Sequence, residues 1–487
     1  MNYTTPEKEG ISSVNIKKYI DILEEHQLST HNIIMMRGEN IFFEKYWEPF
    51  YPEFLHRMYS VTKSIVSLAI GFAQQDGLLE LDDPIVQYFE EAKALQVDEN
   101  VKKQTIRHML MMSTAKSTGG WFSNAKGNRV RCYFENENPS REPGVRFEYD
   151  SCGSFVLGAL VERLTGMTLL EYLRIKLFDK IGVSKEAHFL KCPGGHSWGD
   201  SALLCQPRDL LLIARFVMNG GKWNGEQILN EAYISAAISK QIETWEEGSA
   251  KDYKSYGYGY QIWRTLDNSY AFYGMGCQYA VCVPDKDLIF IYNGDNQGHE
   301  KAEDIVIENF FECIARRVSD IPLEANPKAE EMLKQPKKLM CAKGDVHTEL
   351  QERINGVVFK MQPNRMNFTE ISLHFAEDVC SFQYINEQGG KKLLFGMGEN
   401  VFDYFPQEGY SKDVGSEWTN GHYYRCATSA AWVSENKLHI KVQAIDEYFG
   451  RMDIILEFID ESTVEMNITK TAEYFFDEYF GSAIGRK

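Results

Sequence analysis

The chain has no long apolar run. No stretch reaches the ~18 uncharged apolar residues that a membrane-spanning helix needs, so no membrane span is expected. The first residues, MNYTTPEKEGISS, hold no apolar segment of the secretory type. Ten cysteines are present but none form a C-x-x-C pair. The eleven histidines make no H-x-H or H-E-x-x-H pattern. Zinc spacing is therefore missing, and neither a metal nor a cofactor is expected. Without a signal segment, reduced thiols in a cytoplasmic setting are the expectation. Basic charge is scarce: 52 Lys and Arg stand against 70 Asp and Glu, for a net charge of −18. An acidic surface repels phosphate, so nucleic acid and anionic membranes are not expected partners. GYGYG at 256–260 lacks the phosphate-loop and dinucleotide fingerprints and reads as strand and turn.

What is present suits a globular protein with a large core: 44% apolar and 25% charged residues. A length of 487 residues exceeds one ordinary core, so at least two domains are expected. VNIKKYIDILEEH has helical spacing, and NIIMMRGENIFFEKYW reads as two strands about a turn. Helical patterns recur at 102–112, 153–165, in PRDLLLIARFVMNGG and at 301–317. YGYGYQIWR and QYAVCVPDKDLIFIYNG read as strands. Residues 1–318 thus carry strands at both ends and helices between. That predicts an α+β domain, an antiparallel sheet flanked by helices with an all-helical subdomain. Residues 319–350 are rich in proline and charge and read as a linker with a short helix. From 351 to 487 short strands recur, predicting a small antiparallel β-barrel or sandwich. The segment AEYFFDEYF is expected to pack on it.

One stretch carries a chemical question. MYSVTKSIVSLAIGFA, residues 58–73, holds one charged side chain, Lys63. Helical spacing puts Ser60 and Lys63 on one face, within reach of each other. Burial disfavours a charged amine, and a neutral amine can take a proton from a serine hydroxyl. A serine at a helix start also has backbone N–H groups and the helix dipole at hand for an oxyanion. S-x-x-K alone is weak, since the chain has four: Ser60–Lys63, Ser113–Lys116, Ser123–Lys126 and Ser434–Lys437. Only Ser60 opens a long apolar helix. The bland alternative is a lysine reaching out of a core helix.

A second element, REPGVRFEYDSCGSFVLGALVERLTG, reads as turn, strand (VRFEY) and capped helix. Tyr149 then sits at a strand-to-helix corner, where a phenol can face a cleft. The commoner fate is a packed tyrosine.

YSVTK, PGVRFEYDSCGSFVLGALVERLTG and YGMGCQYAVCVPDKDLIFIYNG, in this order, resemble the serine β-lactamase and penicillin-binding-protein-like hydrolases. The resemblance is to the branch of class C β-lactamases, D-amino-acid peptidases, esterases and 6-aminohexanoate-oligomer hydrolases, over residues 6–315. It implies that Ser60 is the nucleophile, Lys63 its proton partner and Tyr149 a general base or relay. It further implies that GMGCQ, 274–278, flanks the site and lends the oxyanion a backbone N–H from Cys277 or Gln278. Met275 and Gly276 would line that turn. Two positions depart from the pattern. Ser151 replaces the asparagine of Y-x-N, and the cation of the third element is Gly274 or Met275, depending on register. Both leave acyl transfer intact and argue against efficient penicillin turnover.

GHSWG at 195–199 fits a nucleophile elbow, but a loop, not a strand, precedes it, so Ser197 is a weak candidate. Trp121, Phe122, Trp198 and Trp263 would line a pocket or pack in the core. The expected function is a serine acyl hydrolase acting on a small-molecule ester, amide or peptide. The alternative is a non-catalytic ligand-binding or assembly protein. The C-terminal domain would wall off the cleft or mediate dimerisation, so a homo-oligomer is one expectation.

Overall fold

The computed structural model describes residues 2–95, 97–117, 127–192, 194–408, 423–471 and 478–487. It divides into two compact units, Met1–Lys338 and Leu339–Lys487.

The first unit is built on an eight-stranded sheet. Its elements are β1 (Asn2–Tyr3), β2 (Thr30–Arg37), β3 (Asn40–Glu48), β4 (Trp263–Arg264), β5 (Tyr270–Gly274), β6 (Gln278–Val283), β7 (Leu288–Gly294) and β8 (Lys337–Lys338). The order is β1-β3-β2-β7-β6-β5-β4, with β8 added on β3. β2 to β7 pair antiparallel, while β1 and β8 run parallel to β3. Residues 30–36 of β2 are all buried, as expected of a strand covered on both faces. On one face lie α1 (Ser13–Glu25) and, after the last long strand, a C-terminal helix (Ala302–Cys313). Ile16, Tyr19, Ile20 and Leu23 of α1 recur at helical spacing and are buried. Tyr19 meets Phe290 of β7 edge-on at 5.9 Å, and Phe310 stacks on Phe290 at 4.2 Å.

The rest of the unit is helical. α2 (Val61–Gln75), α3 (Ile106–Leu110), α4 (Arg129–Phe134), α5 (Ser151–Thr165) and α6 (Pro207–Met218) follow in chain order, and the C-terminal helix is then α7 (Ala302–Cys313). α2 is buried from Val61 to Ala73, and α5 from Cys152 to Val161. These two pack together as the centre of the helical layer. α5 ends at Gly166, whose φ of +68° is the left-handed stop that glycine accepts freely. No single helix among the described residues is long and apolar enough to cross a membrane.

Four expectations change. The pattern over 102–112 is broken into Glu99–Lys103 and α3, and the helix expected to 317 ends at Cys313 before one 3-10 turn. VRFEY is not a strand. The backbone N–H groups of Gly144 and Glu148 donate to Ser113 and Met112 beside α3, so the segment finds no strand partner. YGYGYQIWR keeps only β4 as regular strand.

The second unit is a barrel. Its strands are β9 (Val358–Met361), β10 (Glu370–His374), β11 (Cys380–Asn386), β12 (Gly389–Met397), β13 (Val401–Glu408), β14 (Tyr423–Ser434), β15 (Lys437–Ile445), β16 (Phe449–Asp460), β17 (Thr463–Thr471) and β18 (Gly481–Arg486). They run β12-β11-β10-β9-β18-β17-β16-β15-β14. A parallel pairing of Gly396 with Ser429 and Met397 with Ala430 closes these nine into a ring. β13 pairs with β14 outside it. β16 alternates Met452, Ile454, Leu456 and Phe458 inward, the period of a strand with one buried face. A short helix, α8 (Glu349–Ile354), places Ile354 in the core, and Trp432 Nε1 donates to Gln351 of this helix at 3.0 Å. Of AEYFFDEYF, residues 472–477 lie outside the described residues; Tyr479 is buried and shares a hydrogen bond of 2.9 Å with Tyr384.

Candidate active site

α2 begins at Ser60, which caps it with φ −67°. The residue before, Tyr59, has φ +44°, a region costly for a non-glycine residue. The surroundings hold it there. Tyr59 is 2% exposed with the Arg57 guanidinium 4.7 Å over its ring. Met58 N–H donates to Leu203 O at 2.8 Å, and Leu203 N–H donates to Thr62 Oγ1 at 3.1 Å. The helix start is thus clamped on both sides of Ser60.

Lys63 is 1% exposed. Its Nζ donates to Ser60 Oγ at 2.9 Å and to the backbone oxygen of Asp200 at 2.7 Å. The Tyr149 ring lies 5.1 Å from the same nitrogen, a cation–π distance. Tyr149 is 40% exposed, so the phenol borders solvent while its ring stacks on Trp263 at 5.9 Å. Tyr258 and Phe147 back that stack. Burial pushes the Tyr258 phenol well above its ordinary range, and the neighbouring Tyr149 adds to it. Ser60, Lys63 and Tyr149 therefore meet.

Ser151 follows as the first residue of α5 and is half-buried. Asp150 is the cap, accepting Gly153 N–H at 2.9 Å. Its carboxylate is committed to the helix start.

The third element is a turn. Met275, Gly276 and Cys277 join β5 to β6, with φ of +74° at Gly276 and +70° at Cys277. A Cβ on Gly274 would lie 2.4 Å from Met58 O, so β5 runs directly against the segment leading into Ser60. The Gln278 side chain is buried in the turn: its Nε2 donates to Gly294 O at 2.5 Å, and its Oε1 accepts from Asn293 at 2.9 Å. The same Nε2 donates to Met275 O at 3.3 Å, so the side chain braces the turn. Burial pushes the Cys277 thiol up, and the side chain faces the apolar core beside Tyr279. Met275 is half-buried.

Gln261 was not legible as a site residue. Its Nε2 donates to Met109 O at 2.9 Å and Leu110 O at 3.1 Å, and its Oε1 accepts from Ser154 at 2.6 Å. Its backbone oxygen accepts from Ser64, next to Lys63, at 2.6 Å. One residue thus ties three helices together, its side chain joining α3 to α5 and its backbone oxygen holding α2. Its φ of +58° is the only local mark, and sequence spacing carries no sign of it.

The other candidates separate. Lys116 donates to Asn136 O and pairs with Asp98, while Lys437 pairs with Glu457 in the barrel. Ser123–Lys126, Trp121 and Phe122 lie outside the described residues. Ser197 sits in a loop, and Glu162 accepts its N–H at 3.2 Å together with His196 Nδ1 at 2.7 Å. Burial raises the Glu162 carboxyl, and these hydrogen bonds outweigh it, so it ionises below its ordinary range. Ser197 thus belongs to a loop anchor, with no elbow around it. Trp198 is fully buried between two guanidiniums, Arg57 at 4.8 Å and Arg129 at 4.7 Å.

Comparison with known proteins places the chain in a family. The Beta-lactamase family model matches residues 16–307. A 6-aminohexanoate-dimer hydrolase of Paenarthrobacter ureafaciens is 22% identical over 253 residues, 48% of this chain and 64% of that relative. The match therefore spans less than two thirds of that protein. The octameric penicillin-binding protein homologue from Pyrococcus abyssi superposes with TM-score 0.50 at 15% identity, over 97% of this chain and 99% of that one. EstCE1, a hydrolase with promiscuous acyltransferase activity, superposes with TM-score 0.51 at 13% identity, over 61% of this chain and 99% of that one.

Proposed function

The chain belongs to the Beta-lactamase family, and on that premise we propose that it is a serine hydrolase acting through an acyl-enzyme on Ser60. The observation that carries this reading is the 2.9 Å hydrogen bond between Lys63 and Ser60 inside a buried helix start. With Lys63 neutral, its amine takes the Ser60 proton as Oγ attacks a carbonyl carbon. Charge develops on the carbonyl oxygen, and backbone N–H groups at Ser60 and at the 276–278 turn are the proposed donors to it. Tyr149, beside Lys63 and open to solvent, passes a proton to the leaving group and takes one back from the Lys63 ammonium, which returns to the neutral amine. Water then gives a proton to the Lys63 amine as it attacks the acyl carbon, and that proton passes to Ser60 Oγ as the ester bond breaks.

The substrate proposed is a small ester or amide. The relative of Paenarthrobacter is named for an amide, and EstCE1 for acyl transfer. Gly274, packed on Met58 O, leaves no room for a cation at that position to hold a substrate carboxylate. That supports simple esters and linear amides over penicillins. Ser151 offers a hydroxyl beside Tyr149 for a substrate carbonyl or amide. Self-association and a cytoplasmic setting belong to the same proposal; a monomeric mass by light scattering excludes the first.

The test is intact mass after a fluorophosphonate probe, with peptide mapping and an ester and amide panel. One adduct on Ser60 is expected. Ser60→Ala and Lys63→Ala should both lose turnover while remaining folded. Full retention in either refutes the assignment, and an adduct on Ser197 moves the site elsewhere.

A further inference from the structure

We propose that Trp263 is a positioning residue for the Tyr149 phenol, and that substrates whose leaving group must be protonated depend on it. This rests on the reading of Ser60 as nucleophile and of Tyr149 as its proton relay.

Three observations carry it. First, the backbone on both sides of Tyr149 is fixed while its side chain is not enclosed. Glu148 N–H donates to Met112 O at 2.7 Å and Asp150 N–H to Met112 Sδ at 3.0 Å, yet Tyr149 is 40% exposed. Second, the ring meets two partners. Lys63 Nζ is 5.1 Å from its centroid, and Trp263 stacks on it at 5.9 Å with the planes 20° apart. Third, Trp263 is itself held by rings from three segments: Tyr258 at 4.8 Å, Phe147 at 5.5 Å and Tyr273 of β5 at 6.2 Å. Its backbone pairs with Ala271 of β5 and bridges to Tyr258. Trp263 thus carries the rigidity of the sheet to a side chain that borders solvent.

The chemistry says where this matters. The tetrahedral adduct collapses when the bond from the carbonyl carbon to the leaving atom breaks. The electron pair stays on that nitrogen or oxygen. An amine or alkoxide leaves with a proton, which the Tyr149 hydroxyl gives up and the Lys63 ammonium replaces. A p-nitrophenolate or a fluoride is stable as an anion and leaves without one. A phenol about 1 Å out of place therefore slows the first class and spares the second. Packing alone would slow both alike.

The experiment is kcat/KM of the full chain on acetate esters of p-nitrophenol, phenol, trifluoroethanol and ethanol. Fluorophosphonate labelling of Ser60 is followed on the same preparations. Trp263→Leu and Trp263→Met keep bulk without a flat ring, and Trp263→Phe keeps the stack. These, Tyr149→Phe and the double variant Tyr149→Phe with Trp263→Leu are compared with wild type after circular dichroism confirms folding. In Trp263→Leu and Trp263→Met the preference for the p-nitrophenyl over the alkyl esters should rise roughly 100-fold, with little change in labelling. Trp263→Phe should keep most of the wild-type preference. Tyr149→Phe should show the same rise, and Trp263→Leu should add nothing to it, because both act on one proton. An equal loss on every ester and on labelling overturns the proposal, because the indole then only supports the fold. Unfolding of both bulk-keeping variants beside a folded Phe variant overturns it for the same reason, as do effects that multiply in the double variant. A labelled wild type whose preference is untouched by Tyr149→Phe removes the relay and this inference, and leaves the nucleophile standing. A folded wild type that never labels on Ser60 removes the nucleophile assignment, and this inference with it.

Discussion

Gly274→Ala is a direct probe of how tightly the third element bears on the nucleophile. The added Cβ would meet Met58 O at 2.4 Å, while ordinary contact begins near 3.4 Å. Either β5 or the Met58–Ser60 segment must therefore move by about 1 Å. β5 is held by pairing with β6 along its whole length, and Met58 is held by Leu203, so neither yields freely. Overpacking of this kind costs about 1–3 kcal/mol of stability. A displacement of about 1 Å at a reacting group costs on the order of 100-fold in rate. The substitution adds no backbone strain, since Gly274 is not left-handed. The assay is kcat/KM on a chromogenic ester, with fluorophosphonate labelling rate and urea unfolding on the same preparations. Gly166→Ala is the control: its φ is +68° with nothing within 4 Å, so it should lose about 1 kcal/mol of stability and keep its rate. A Gly274→Ala protein with wild-type stability and wild-type labelling would falsify the claim that β5 presses on the segment before Ser60.

Two further outcomes follow from buried groups. Burial holds the His56 imidazole down at about 3 and His31 well below its ordinary value, the latter helped by His56. Folded protein therefore binds fewer protons than unfolded chain below about pH 6.5, so stability is full above that pH and falls as pH drops toward 3. Each histidine contributes about 1.4 kcal/mol per pH unit across that window, and urea unfolding that is flat between pH 7.5 and 5.5 would count against both. Gln261→Leu leaves Ser154 and the Met109 and Leu110 carbonyls without their shared partner. It should cost about 1–3 kcal/mol and lower kcat more than it raises KM, because α3 and α5 lose their shared side-chain tie beside the site while the backbone contact to Ser64 of α2 remains. A variant that only loses stability would limit Gln261 to the core.

What could be read from the chain before folding depended on distance along it. Ser60 and Lys63 are one helical turn apart, so spacing alone brought them together. The helical faces of α1 and α6 were legible for the same reason. The strand-rich character of residues 351–487 was legible, but closure was not. The ring is completed by β12 and β14, which are not neighbours in sequence and pair through two residues each. VRFEY alternates like a strand, yet Gly144 before it and Glu148 within it donate their N–H groups to Ser113 and Met112, a tertiary fact with no local signature. Gln261 and Asp200 were hidden for the same reason. Both act on Lys63 or its neighbour from 197 and 137 residues away.

The departure at Gly274 is the case where sequence and structure read differently. In the chain it is the absence of a cation from a family motif and suggests a lost function. In the fold it is a requirement. With Met58 O 2.4 Å from the Cβ position, no side chain fits in that register without displacing the entry to Ser60. In the other register Met275 sits on the turn with its backbone oxygen 3.3 Å from Gln278 Nε2. This edge of the site is thus formed by backbone, by Gly276 and by a methionine. Restoring a lysine at Gly274 should therefore fail to restore carboxylate binding and should slow Ser60 labelling at least as much as alanine does. A Gly274→Lys protein that labels faster than Gly274→Ala would show that β5 has more room than its packing on Met58 allows.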